Sequence, residues 1–124
     1  MEQRDPAIRI TLLPRDTNSQ GTIFGGVILS YIDTAAAIEA HRHTHMQRFV
    51  TLAMKEVIFH KPVFVGDLVS FYCETIRVGT TSITVRVLVE VERLGKSERV
   101  RVTEAEVIYV AVNERGDKIP IEVK

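Results

Sequence analysis

The sequence lacks the features that define several large classes of protein. Among its 124 residues there is no tryptophan and only one cysteine, Cys73, so no disulfide can form within the chain. Lys and Arg together number 16, as do Asp and Glu, so no overall field attracts nucleic acid or an anionic membrane. The N-terminal residues carry no apolar signal-peptide core. We therefore expect one domain spanning residues 1–124, located in the cytoplasm and without a nucleic-acid partner.

Long hydrophobic runs are also missing. The most apolar stretch, residues 23–40, is interrupted by Asp33 and Glu39, and it is too short and too polar to cross a bilayer comfortably. We expect no membrane span.

The same stretch has the periodicity of a helix. Apolar residues recur at helical spacing and no proline interrupts them, which predicts a helix from Gly25 to about His43. Turn-forming residues 16–21 precede it, and before them the weakly alternating segment 8–13 predicts an edge strand that ends at Pro14.

Four strand-like runs follow the helix. The third is the clearest, because Ile83 and four valines alternate with mostly polar residues up to Glu92. Glycine-containing turns separate the runs, whose approximate ranges are 49–59, 68–78, 83–92 and 100–112. One long helix followed by consecutive antiparallel strands predicts an α+β domain, in which a curved sheet wraps the helix in the order β-α-β-β-β-β.

Asp33 is the most informative residue. It falls on a helix face of leucine and alanine, and none of the residues three or four positions away is a cation. Keeping an ionised carboxylate out of water without a partner costs several kcal/mol, so a chain that retains one there usually uses it. The alternative is a structural carboxylate that caps a neighbouring loop.

Several motifs occur in a characteristic order. They are Asn18-x-x-Gly21-x-Ile23-Phe24-Gly25-Gly26, the helix Asp33, Phe59-His60-Lys61-Pro62-Val63 with Val65-Gly66-Asp67, and Val78-Gly79-Thr80-Thr81-Ser82. Together with the order of elements, this set resembles the hotdog-fold acyl-CoA thioesterases of the YciA and cytosolic acyl-CoA hydrolase type.

The resemblance implies a fold, an activity and an assembly. It implies hydrolysis of acyl-CoA thioesters to carboxylic acid and CoA, without a cofactor beyond the CoA of the substrate and product. Asn18 and Asp33 match the motif asparagine and the helix aspartate of that family. Members pair side by side into a homodimer or a larger assembly such as a tetramer or hexamer, with active sites where Asn18 of one protomer would meet Asp33 of its partner.

Thioester hydrolysis gives each of these residues a chemical task. Amides at a helix start lack partners, so those of Gly25 and Gly26 can donate to the oxyanion, and glycine lets that oxygen approach closely. Asp33 can act as general base on a water or attack the carbonyl itself, and the sequence leaves both routes open. Asn18 can position the water or polarise the carbonyl; its alternative is an ordinary Asx turn.

Two polar segments are candidates for binding the CoA portion of the substrate. Thr80, Thr81 and Ser82 offer hydroxyl and amide donors after Gly79, and Lys61 offers a cation for the phosphates. The alternatives are a polar turn and a solvated surface lysine.

The histidines and the cysteine point to no further chemistry. On a helix only His41 and His45 share a face, and no carboxylate follows at ligand spacing, so we expect no metal. Cys73 lies inside a strand-like run and is expected to be a small buried residue rather than a nucleophile.

Two other functions compete with hydrolysis. A non-catalytic acyl-CoA sensor or interaction module could use the same pocket, but it has no reason to keep an unpaired charge beside an acyl chain. A hotdog hydratase or dehydratase usually needs a histidine, and none lies on the helix near Asp33.

Overall fold

The computed structural model describes residues 5–93 and 95–124. The elements follow the predicted order, and the predicted α+β class is confirmed. Their bounds are β1 Ile8–Thr11, a 3-10 turn Pro14–Asp16, α1 Gly25–His43, β2 Phe49–Phe59, β3 Leu68–Val78, β4 Ser82–Glu92 and β5 Arg99–Ala111.

All five strands form one antiparallel sheet in the order β1-β3-β4-β5-β2. Strands β3, β4 and β5 pair consecutively, whereas β2 lies on the far side of β5. The two edges of the sheet are therefore β1 and β2.

The apolar residues that alternate along β4 face the core. Ile83 and the valines that alternate with it are at most 1% exposed, and they share a cluster with the buried side of α1. The helix residues in that cluster are Ile28, Ile32, Ala35, Ala36 and Ala40. Small alanines let the helix lie close to the sheet, whereas Asp33, on another side of α1, is only partly buried.

Strand β2 is irregular and remains largely uncovered. Its pairing with β5 shifts register twice, between Thr51 and Ala53 and between Lys55 and Ile58, and Glu56 takes a positive φ of 52°. Leu52 is 61% exposed, although it is a large apolar residue on an edge strand.

A buried ion pair fixes the segment between β2 and β3. Asp67, 3% exposed, accepts from the Arg93 guanidinium at 2.5 Å and from the main-chain N–H of Phe64 at 2.9 Å. Because Arg93 also donates to the Pro62 carbonyl, the loop that follows Lys61 is held against the end of β4.

Among the described residues, no helix combines the length and the hydropathy that a bilayer crossing requires.

Candidate active site

Asp33 lies on α1 about two turns after the helix begins, and its side chain is partly exposed. Its Oδ1 accepts one hydrogen bond from Thr51 Oγ1 at 2.8 Å and another from the Tyr109 hydroxyl at 2.8 Å. The Tyr109 hydroxyl also contacts the main-chain oxygen of Asp33. Both hydroxyl partners come from strands outside the helix, on β2 and β5, and the sequence did not identify them.

Thr51 and Tyr109 reach Asp33 together because they are direct neighbours in the sheet, where Thr51 pairs with Tyr109 in the β2–β5 register. Such residues point to the same face. No local sequence pattern marks either of them, since the register depends on two strands that are far apart in the chain.

The environment of Tyr109 keeps its hydroxyl protonated. Burial raises the pKa of this phenol far above its usual value, and the hydrogen bond to Asp33 and the charge of that carboxylate add to the rise. Tyr109 therefore acts as a hydrogen-bond donor at any physiological pH.

The second carboxylate oxygen, Oδ2 of Asp33, accepts no hydrogen bond from any residue in 5–93 or 95–124. One oxygen is thus held by two hydroxyls while the other is left for a ligand or a water. This arrangement suits a general base or a nucleophile.

The start of α1 offers unpaired amide donors. Phe24, at the N-cap, provides no side-chain hydrogen bond, and the Gly25 and Gly26 amides have no acceptor within the described part of the chain. A Cβ built on Gly25 would lie 3.3 Å from Cζ of Phe59, so this position has little room for a side chain.

A cavity of about 310 Å³ opens beside Gly25. It is mostly apolar, with Ile23, Ile28, Phe59 and Val63 among its lining residues, and His60, Lys61 and Thr103 add polar groups. Cavities of this size and character accept small organic groups.

His60, which lines this cavity, belongs to an ion-pair cluster with Glu104 and Arg86. His60 bonds Glu104 at 2.7 Å, and Arg86 donates to the other oxygen of that carboxylate at 2.8 Å. The bond from His60 is the main reason that the pKa of Glu104 lies below its usual value, and Arg86 contributes in the same direction. Glu104 therefore stays ionised and orients the His60 ring.

Asn18 forms the Asx turn that was its alternative interpretation. Its Oδ1 accepts from the main-chain N–H groups of Gln20 at 2.9 Å and Thr22 at 3.2 Å, and its Nδ2 donates to the Thr22 hydroxyl at 2.9 Å. Within one chain, the Asn18 side chain organises the loop that leads into α1.

The two predicted binding segments lie at opposite ends of the sheet. Lys61 lines the cavity beside Gly25. The β3–β4 turn of Thr80, Thr81 and Ser82 lies next to Tyr109 instead, since Ser82 pairs with Val110 and the Thr81 carbonyl accepts from Ala111 N–H.

The amide donors and the carboxylate are likewise apart within one chain. Eight residues of helix at ~1.5 Å each separate Gly25 from Asp33 by roughly 12 Å. A single chain therefore presents two half-sites, one at the start of α1 and one around Asp33.

Across the described residues, no group of three or more His, Cys, Asp or Glu side chains could hold a metal ion. His43 bonds the buried Glu39 at 2.9 Å, and Cys73 is a small buried residue of β3, as its position in a strand-like run predicted.

Comparisons with known proteins agree with this architecture. The model of the thioesterase superfamily matches residues 20–98. The acyl-CoA thioester hydrolase YciA of Salmonella typhimurium is 38% identical over 125 residues, which cover 98% of this chain and 93% of the relative.

Solved structures give the same result. A hexameric hotdog fold thioesterase of Campylobacter jejuni superposes with a TM-score of 0.90 at 42% identity, covering 98% of this chain and 93% of the other. The acyl-CoA hydrolase of Staphylococcus aureus, solved in complex with butyryl coenzyme A, gives a TM-score of 0.84 at 28% identity, covering 94% and 70%.

A curved five-stranded sheet around one helix, matched this closely, is a hotdog fold. The chain belongs to the thioesterase superfamily and, within it, to the acyl-CoA thioester hydrolases related to YciA. The predicted fold, family and enzyme class are confirmed.

Proposed function

We propose that this chain hydrolyses acyl-CoA thioesters to a carboxylic acid and CoA, with Asp33 as the general base or the nucleophile. The activity is that of its relatives. The observation that carries the assignment of Asp33 is its asymmetric environment, in which Oδ1 is held by Thr51 and Tyr109 while Oδ2 is left to a ligand.

The reaction needs few protein groups. In the general-base route a water attacks the carbonyl carbon and gives its proton to Asp33, and the C–S bond then breaks to release the CoA thiolate, which takes up the proton. In the nucleophilic route the carboxylate attacks first, expels the thiolate and forms a mixed anhydride that water hydrolyses. Both routes remain open.

Either route forms an oxyanion, which requires hydrogen-bond donors directed at it. The Gly25 and Gly26 amides lack acceptors, and the positive end of the helix dipole adds to their effect. The adjoining apolar cavity can take part of the substrate out of water.

We further propose that the site is shared between protomers. The half-site at Gly25 of one protomer would meet the half-site at Asp33 of its partner, and the loop that Asn18 organises would lie beside this junction. Lys61 from the first protomer and the 80–82 turn from the second would then flank the same site, which suits both as contacts to the CoA portion. Hexameric relatives support such an assembly.

Thiol release from short, medium, long and aromatic acyl-CoAs tests the proposal. Asp33→Asn preserves volume and can still accept from both hydroxyls, but it removes the base, so turnover should fall by ~10²-fold or more. Asp117→Asn, an exposed aspartate in the C-terminal turn, is the matched control and should keep wild-type rates.

Two outcomes would contradict the proposal. Wild-type turnover in a folded Asp33→Asn protein would remove Asp33 from the chemistry. Binding of acyl-CoA by the wild-type chain without any thiol release would instead favour the sensor or interaction module.

A further inference from the structure

We propose that Tyr109 is a positioning residue of this site. By holding Oδ1 of Asp33, it leaves Oδ2 as the carboxylate oxygen that faces the substrate. This inference rests on the proposed function of Asp33 and adds a residue from another element. Its basis is the pair of contacts from one hydroxyl to the Oδ1 and the main-chain oxygen of Asp33.

The contacts fix both the backbone and the side chain of the aspartate. A helix aspartate that faces partly toward solvent can rotate about two side-chain torsions. The Tyr109 hydroxyl spans the main-chain oxygen and Oδ1, so it restrains the carboxylate relative to its own helix turn. Thr51 alone, from an exposed position on the edge strand, could not do this, because it contacts only Oδ1.

The tyrosine is itself rigidly held. It is 2% exposed, lies on the inner strand β5 between β4 and β2, and packs its ring against Phe49 with 6.0 Å between centroids. A donor on an inner strand moves less than one on an edge. Oδ1 is thereby occupied, and Oδ2 becomes the oxygen presented to the substrate.

The charge balance supports the same assignment. Two neutral hydroxyls hold Asp33 by hydrogen bonds without adding a counter-charge to the site. No lysine or arginine side chain of the described residues forms an ion pair with Asp33.

The test compares two buried tyrosines. Tyr109→Phe keeps the ring and removes the hydroxyl, and we expect kcat to fall roughly tenfold with KM within about twofold, because a lost orienting hydrogen bond acts on the reacting group rather than on binding. Tyr72→Phe is the control: Tyr72 is also 2% exposed, and its hydroxyl accepts a hydrogen bond from Arg9, on the β1 side of the sheet. It should leave kcat unchanged.

A double-mutant cycle separates positioning from a purely structural effect. If Tyr109 acts through Asp33, adding Tyr109→Phe to Asp33→Asn causes no further loss of kcat, whereas a structural effect lowers kcat equally in both backgrounds. Equal losses, or a folded Tyr109→Phe protein with kcat within about twofold of wild type, would overturn the proposal.

The outcomes also distinguish this inference from the proposed function. Asp33→Asn with wild-type turnover rejects the role of Asp33, whereas an inactive Asp33→Asn beside a fully active Tyr109→Phe rejects only the role of Tyr109. If Tyr109→Phe does not fold, 4-fluorophenylalanine at position 109 replaces it, because the fluorine fills the place of the hydroxyl but cannot donate a hydrogen bond, and kcat should again fall roughly tenfold. An unchanged kcat in that protein would likewise overturn the inference.

Discussion

At the scale of single residues, the absence of a side chain at Gly25 keeps space open beside its amide. Its amide has no acceptor in the described chain, its Cα borders the cavity, and the Phe59 ring stands 3.3 Å from the place where a Cβ would be. Any methyl group there takes up room beside the proposed oxyanion donors.

We predict that Gly25→Ala makes the protein less active but no less stable. Alanine favours helix over glycine by ~1 kcal/mol, and the half-exposed Phe59 can shift by the few tenths of an ångström required. The methyl group nevertheless narrows the approach to the amides, so kcat/KM should drop about tenfold.

Thermal melting and thiol release, measured on the same samples, check this prediction. Adding Phe59→Leu to Gly25→Ala restores room and should recover part of the rate. Unchanged kcat/KM in Gly25→Ala would show that no substrate atom comes close to this amide.

Some residues of the proposed site carry a signal in the sequence and others do not, for a physical reason. Asp33, Gly25 and Gly26 were predicted because their signals are local: a charge on an apolar helix face and glycines at a helix start. Thr51 and Tyr109 were not, because only the register of β2 against β5 brings them to Asp33.

At the scale of elements, the helix and the strands were predicted almost to the residue. Strict alternation in β4 and glycine turns between strands are signals that the tertiary fold does not override. The irregularity of β2 was not predicted, because the positive φ at Glu56 is imposed by pairing with β5 and Glu carries no preference for it.

We expect a partner protomer to associate along the edge strand β2, and a substitution at Leu52 tests this expectation. The residue is 61% exposed, so Leu52→Asp should leave the fold of one chain intact. In an assembly through β2 the new carboxylate would lose its water, and association should weaken strongly.

The mass of Leu52→Asp measured by light scattering should therefore fall toward 14.0 kDa, the mass of one chain. Ile76→Asp, which changes a 45% exposed residue on β3, is the control and should keep the wild-type mass. If Leu52→Asp also keeps it, β2 is not the association edge.

At the scale of the whole molecule, the feature that matters is the separation of the two half-sites by two turns of α1. A site built within one chain would have to fold the 18–24 loop back along a helix that the sheet already covers. A neighbouring protomer meets no such obstacle.

Complementation between inactive variants tests the shared site. Asn18→Ala and Asp33→Asn should each be inactive alone, yet their mixture should regain part of the activity, because some mixed dimers contain one site with both residues intact. A tag on one chain that co-purifies the other must first demonstrate subunit exchange. Persistent inactivity after proven exchange would mean that Asn18 and Asp33 serve sites within one chain.

The order of the strands has a consequence for how the chain reaches its fold. Strands β3, β4 and β5 join through short turns, so their pairing closes small loops. Strand β2 must find β5 across both intervening strands, and closing that longer loop costs more chain entropy. Each edge of the sheet thus belongs to a strand whose pairing closes a long loop, and a copy bound along β2 would hold in place a part of the sheet that folding secures at high entropic cost.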